Sequence, residues 1–264
     1  MSTSRQGRKR GVRAEVPITQ EAIIDAAFRL IDERGGDAFS MRAVAADLGV
    51  FPATLYWHVG DRARLLGLVE ASWASAVQIP EEIADWREWC HELARRYRAR
   101  AHQHPNVARL VIVERARNIA SLVLPDAVVG RLAELGLGDD LVHAYNSLVG
   151  AVQGFVVLEL ALIPDPEAAS MLEAEAELRS LDPASFPNIT RHFDALADRA
   201  LSVRWTDGAK APLDASFEFL IDLLLDGLDA RLRASAPNKT PAKSAKTPAK
   251  KTAPAKKAAK TASA

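Results

Sequence analysis

Residues 40–61 read SMRAVAADLGVFPATLYWHVGD, a stretch that parses as two short helices joined by a tight turn. The Ser40 hydroxyl is suited to accept from a free amide of a first helical turn, and Val44, Ala45 and Leu48 follow at helical spacing. Gly49 stands where a helix ends in a left-handed residue. Pro52 has no amide proton to waste and a pre-set φ, so it opens a second helix, whose Leu55 and Val59 face the first. Two such helices at a steep angle form a helix-turn-helix, in which the second enters a major groove while the first lies across the backbone.

Outward from the second helix stand Thr54, Tyr56 and His58, with Phe51, Pro52 and Ala53 at its N-terminal end. Hydroxyls and an imidazole suit phosphates and base edges, and apolar surface suits thymine methyls. Ser40 and Arg42 stand at a helix N-terminus, where a backbone phosphate is electrostatically favoured. Arg62 and Arg64 open the following helix and offer phosphate contacts on the other side. Some of these side chains have a second reading: Tyr56 as a packing residue, Met41 as core, His58 as a cap on helix-end carbonyls.

TLYWHV preceded by MRAVAADLGV, with an amphipathic helix before it and DRARLL after it, resembles the DNA-binding domain of the tetracycline-repressor (TetR) family of bacterial regulators. The resemblance covers about Thr19 to Val77. Carried over by position, it implies DNA contacts at Ser40, Met41, Arg42, Pro52, Ala53, Thr54, Tyr56, His58 and Arg62. Phe51 and Pro52 depart from it, falling where the tetracycline repressors carry polar residues.

A formal net charge of zero conceals a segregation. Residues 1–14 hold five basic side chains and no acid, and residues 237–264 hold eight lysines and no acid, which leaves 21 basic against 34 acidic residues in between. An acidic body repels DNA, so the reading head must be presented locally while basic tails add sequence-independent, salt-sensitive attraction. The arm GRKRGVR suits a minor groove or a line of phosphates. The tail TPAKSAKTPAKKTAPAKKAAK repeats Pro-Ala-Lys units and cannot bury a core; it is similar to the lysine-rich tails of linker histones, with a solubilising role as its other reading. A single cysteine, Cys90, excludes a disulfide framework within the chain. With no charged-then-apolar leader apparent, a cytoplasmic, nucleoid-associated setting is expected.

The predicted fold is all-α: an N-terminal three-helix helix-turn-helix domain plus a C-terminal helical bundle for dimerisation and ligand binding. The expected divisions are a basic arm (1–16), the DNA-binding domain (17–77), the ligand-binding and dimerisation domain (78–235) and the tail (236–264). Thr19 caps a first helix that ends at Gly35 and Gly36, and Asp61 caps a linking helix before Pro80. In the body a stripe through Trp86, Cys90, Leu93 and Tyr97 ends near His102 and His104. Short helices follow from Pro105 and around Pro125–Leu135, then a long one from Asp139 and Asp140 to Ile163, and a last one from Leu213 to Leu232. The segment SLVGAVQGFVVLELALI is short for a membrane span and contains Gln153 and Glu159, so a buried bundle helix is the reading, and no membrane partner is expected. A helix apolar nearly all round needs cover on several sides. Gly150 and Gly154 allow close approach of another helix, and with FEFLIDLLLDGL this segment suits a two-fold interface, as the family resemblance also implies.

Asn146 and Gln153 share an apolar face of the long helix with Val142, Val149 and Val156. Opposite, by the family layout, come Trp89, Leu93 and Tyr97, with His104, Asn106 and Arg109 near the end of that stripe. An aromatic pocket with few polar anchors fits a small hydrophobic effector. The alternative is that the amides pair across the bundle or the dimer. The histidine with which tetracycline-binding members hold a magnesium-bound drug falls at Arg109, so that ligand is not expected. His102 and His104 point to different helix faces and read as surface histidines, with no metal and no cofactor implied. No Ser/His/Asp, Cys/His or phosphate-loop pattern points to an enzyme. The sequence thus reads as a ligand-responsive, homodimeric repressor of a palindromic operator on double-stranded DNA. The alternative is a nucleoid-associated protein that binds through its basic tail with little regard to sequence.

Overall fold

The computed structural model describes residues 18–114, 119–161, 171–206, 208, 210 and 212–235. The basic arm and the lysine-rich tail lie outside the described residues, as does Ile163 at the expected end of the long helix. The described residues hold helices and turns, with one isolated bridge between Ala200 and Val203. The head comprises α1 (Gln20–Arg34), α2 (Met41–Leu48) and α3 (Pro52–Val59), and α4 (Arg62–Ser75) carries the chain onward. The body adds α5 (Trp86–Gln103), α6 (Pro105–Glu114), α7 (Val123–Ala133), α8 (Leu141–Leu160) and α9 (Met171–Arg179). Two short turns, α10 (Pro187–Arg191) and α11 (Phe193–Leu196), precede the closing α12 (Asp214–Ser235).

α1, α2 and α4 each begin where the sequence supplies a cap, while α3 opens on Pro52 without a side-chain cap. The Thr19 hydroxyl accepts from the Ala22 amide, Ser40 from Ala43 and the Asp61 carboxylate from Arg64. Gly49 ends α2 in the left-handed region at φ 68°. A side chain there would be strained, so glycine fixes the turn into α3. α1 packs against α2, α3 and α4, burying Ile23, Ala27, Ile31, Val44, Leu55, Val59 and Leu65 in one apolar cluster. α6 touches both α1 and α4, which joins head to body. Asn106 Nδ2 donates to the Asp32 carbonyl at 2.7 Å and His104 Nδ1 is hydrogen-bonded to the Asp32 carboxylate at 2.8 Å.

In the body, α8 lies against α5, α6, α7 and α12. The segment Gly138–Leu160 is long and apolar enough to cross a membrane; it carries the fully buried Glu159, but only 17% of its apolar stretch is buried, so within one chain α8 is covered along one side rather than on several as expected. Glu159 receives both arms of the Arg98 guanidinium (2.6 and 2.8 Å), the His102 ring (2.9 Å) and the Leu213 amide (2.6 Å). Burial alone would raise this carboxyl; the Arg98, His102 and Leu213 hydrogen bonds outweigh it and hold the pKa down at about 2. A methyl group at Gly208 would overlap the Glu159 side chain and carbonyl, so the enclosure is closed on that side too. His102 and His104 are therefore not surface histidines: each is partly buried and bonded to a carboxylate, because the end of α5 is covered by α8 on one side and α1 on the other.

α5 and α12 run antiparallel along a ladder of charge. Arg87 meets Asp226 and Asp229, His91 meets Glu218 and Asp222, Arg95 meets Glu218, and Arg98 meets Asp214. Residues four apart share a helix face, which is why one basic and one acidic row suffice. Five acids of α12 face this row of three arginines and one histidine.

Candidate DNA interface and effector cavity

The helix-turn-helix leaves its reading helix open. Phe51 is 82% exposed, Trp57 91% and Tyr56 54%, and Ala53 and His58 are exposed as well. Pro52 and Thr54 are half-buried. Arg42 is exposed, and the Ser40 hydroxyl caps α2. Met41, placed on the DNA side by the resemblance, is only 6% exposed and belongs to the core. Met41 opens α2 within the apolar cluster that it shares with residues of α1, α3 and α4. Sequence reasoning overlooks Trp57, although it lies one turn on from Ala53 and Thr54, so helical spacing alone puts it on their face. Arg62 is already engaged: it donates to both carboxylate oxygens of Glu114 (2.9 and 3.2 Å) and from Nε to the Phe39 carbonyl (3.4 Å).

Behind the head, α4, α5, α6, α7 and α8 line a cavity of about 730 Å³. Trp89, Leu93 and Tyr97 of α5 and Gln153 of α8 line it as the sequence suggests. Glu70, Trp73 and Ala74 of α4, Val111 and Ile112 of α6, Leu124 and Val128 of α7, and Tyr145 of α8 complete much of the wall. Trp73 and Tyr97 meet edge to face, with ring centroids 5.1 Å apart. Apolar walls with a few separated polar groups suit a medium-sized organic molecule. Cys90 lines the same space, and burial pushes its thiol up to about 12, which leaves it an unreactive apolar wall. Among the described residues no group of three or more His, Cys, Asp or Glu side chains is placed to hold a metal ion.

Four expected pocket residues stand elsewhere. His104 and Asn106 tie α6 to Asp32 of α1, and Arg109 donates to Asn106 Oδ1 and the Pro105 carbonyl. They fill the joint between head and body, beyond the end of the aromatic stripe. Asn146 is exposed. The face it shares with Gln153 is one face of α8, but its surroundings change along the helix: open at Val142 and Asn146, lining the cavity at Val149 and Gln153, buried at Val156. Periodicity finds a face without saying which neighbour covers each turn. Val142, Asn146, Gly150, Gly154 and Leu158 are all exposed, and on α12 so are Phe219, Leu223 and Gly227. Space is open where a Cβ would project at each of these three glycines.

Residues 23–68 match the family described as bacterial regulatory proteins, tetR family, and residues 79–232, more than half of the chain, match the tetracyclin repressor-like C-terminal domain. The chain belongs to the TetR family. A TetR-family chain has the all-α architecture of helix-turn-helix head and helical body seen here, and it is a ligand-responsive transcriptional regulator. It is 26% identical over 230 residues to an HTH-type transcriptional repressor of Mycobacterium tuberculosis, covering 84% of this chain and 82% of that one. Among solved structures it is similar to apo ActR from Streptomyces coelicolor (TM-score 0.64, 27% identity, 82% of this chain and 99% of that chain). It is similar also to ActR in complex with actinorhodin (TM-score 0.63, 27% identity, 80% and 98%). These likenesses favour a regulator of the TetR type over a nucleoid protein acting through its tail.

Proposed function

We propose that this TetR-family chain is a repressor that binds a palindromic operator as a homodimer and leaves it when a small molecule fills the cavity. One observation carries the reading: α4 follows directly on the Gly60 turn that ends α3, and two turns further on it supplies Glu70, Trp73 and Ala74 to the cavity wall. Whatever fills the cavity therefore bears on the helix that holds the head. α6 offers a second route, since Val111 and Ile112 line the cavity while its first turn is tied to α1. An effector that fits better when the heads are displaced shifts the population off DNA, and a coupling of about 1–3 kcal/mol is ordinary for such a switch.

The reading helix carries the proposed DNA contacts, through Thr54, Tyr56 and His58 with Pro52 and Ala53 at its start, while Ser40 and Arg42 meet a phosphate at the start of α2. Trp57 and Phe51 join this set because they are the most exposed large side chains of the head. The exposed stripes of α8 and α12 form the two-fold interface, with Gly150 and Gly154 giving close approach. Two heads then read two half-sites related by the same two-fold axis. The cavity takes a small, largely apolar effector through Trp89, Leu93, Tyr97 and Gln153, together with Trp73 and Tyr145. ActR, similar to this chain, has been solved with actinorhodin.

The test is selection of genomic fragments by the purified protein. Recovered fragments should share an inverted repeat, and a compound that raises the thermal midpoint of the protein should release them. Equal recovery of unrelated sequence would overturn the reading and favour sequence-independent binding. Deleting residues 237–264 removes eight lysines. The plot of log affinity against log salt is expected to become shallower by about 0.9 for each phosphate that the tail no longer neutralises. An unchanged slope in titrations from low to moderate salt removes the tail from the interface.

A further inference from the structure

Arg62 is where head and body meet. It is the first residue of α4, just past the reading helix, and its Nε donates to the carbonyl of Phe39. That hydrogen bond sets the guanidinium beside the start of α2, next to Ser40 and Arg42, where free amides already favour a phosphate. The guanidinium lies over the Phe39 ring, 4.9 Å from its centroid, which fixes its plane. Its fork is closed on Glu114, the last residue of α6, by two hydrogen bonds. A bidentate carboxylate and a bidentate phosphate use the same pair of N–H groups. Glu114 also follows Val111 and Ile112, which line the cavity.

We propose that Glu114 is a positioning residue that competes with a DNA phosphate for the Arg62 fork, so that operator binding requires this ion pair to open. The inference rests on the proposed DNA-binding function and deepens it. In the closed state Arg62 is neutralised and one phosphate contact per head is withheld. Opening the clasp exchanges Glu114 for a phosphate, and α6 carries the state of the cavity to that exchange. The affinity of the head is thereby held below what its side chains could deliver, which leaves it within reach of an effector.

The experiment uses the full chain and an operator fragment that the wild type binds. Glu114→Gln and Glu114→Ala are compared with Arg62→Gln and with the Glu114→Gln/Arg62→Gln double variant, each first checked for an unchanged thermal midpoint and oligomeric mass. Freed from competition, both Glu114 variants should bind roughly tenfold tighter, with a salt slope close to that of the wild type, because the bound complexes make the same phosphate contacts. Arg62→Gln should bind more weakly, and in its background Glu114→Gln should bring no increase. A Glu114 variant that binds no tighter, or an increase that persists without Arg62, overturns the competition. A wild type that selects no fragment at all instead overturns the DNA-binding reading on which it rests.

Discussion

Glu159→Gln is expected to lower the free energy of unfolding by about 3–5 kcal/mol, the range for removing one member of a buried ion pair. The reason is the completeness of its surroundings: no solvent exposure, two bonds from Arg98, one from His102 and one from the Leu213 amide. A neutral amide cannot accept all of these and leaves Arg98 with the exposed Asp214 as its remaining carboxylate. For a domain of this size the destabilisation corresponds to a fall in Tm of roughly 10 °C. The pH dependence gives a sharper signature. The folded carboxyl titrates near 2 against an ordinary value of 4.5, so its contribution is fully present above the ordinary value and disappears as pH falls from there toward 2. The gap between wild type and variant should accordingly narrow on acidification. A constant gap, or a destabilisation below about 1 kcal/mol in urea titrations at neutral pH, would mean that Glu159 does not hold the body together as described.

Thr54→Ala combined with Tyr56→Ala is expected to weaken operator binding by a factor of roughly 100 or more. Removing one side chain's recognition of a base pair costs about 1–3 kcal/mol, and each substitution is felt at both half-sites of a two-fold complex. Tyr56 is more than half exposed and Thr54 half-buried, so folding should be little disturbed. Sedimentation should show the same assembly as the wild type while gel-shift titrations show the weakened binding. Unchanged affinity in a well-folded double variant would remove the reading helix from the interface.

The head is legible in the sequence because its signals are local. Ser40, Gly49, Pro52 and Asp61 each act within a turn of themselves, and all four sit where their own chemistry puts them. The α5 stripe is legible for the same reason, since Trp89, Leu93 and Tyr97 repeat with the helix. What the sequence conceals is pairing across long separations. Nothing near Glu159 announces Arg98 or His102, 61 and 57 residues away. Nothing near Arg62 announces Glu114, 52 residues on. Such partners are chosen by the packing of whole helices, so a sequence reading assigns His104 and Arg109 to the cavity and gives Arg62 a phosphate without the carboxylate it also meets. Met41 fails differently: positional resemblance carries over a role that the local packing around it does not allow.

The charge ladder between α5 and α12 has a consequence for how the closing helix finds its place. Rungs at near-constant intervals of one turn would fit almost as well if α12 slipped along α5 by about 5.4 Å, because all but the end base would still face an acid. Opposite charges therefore attract the helix without choosing among its possible seats. The choice falls to contacts that do not repeat: the seat of Phe217 against Phe155, and the ladder's end, where the Leu213 amide, just ahead of α12, reaches a carboxylate that has no duplicate one turn away. Glu159 acts as the end stop that tells an otherwise sliding helix where to halt.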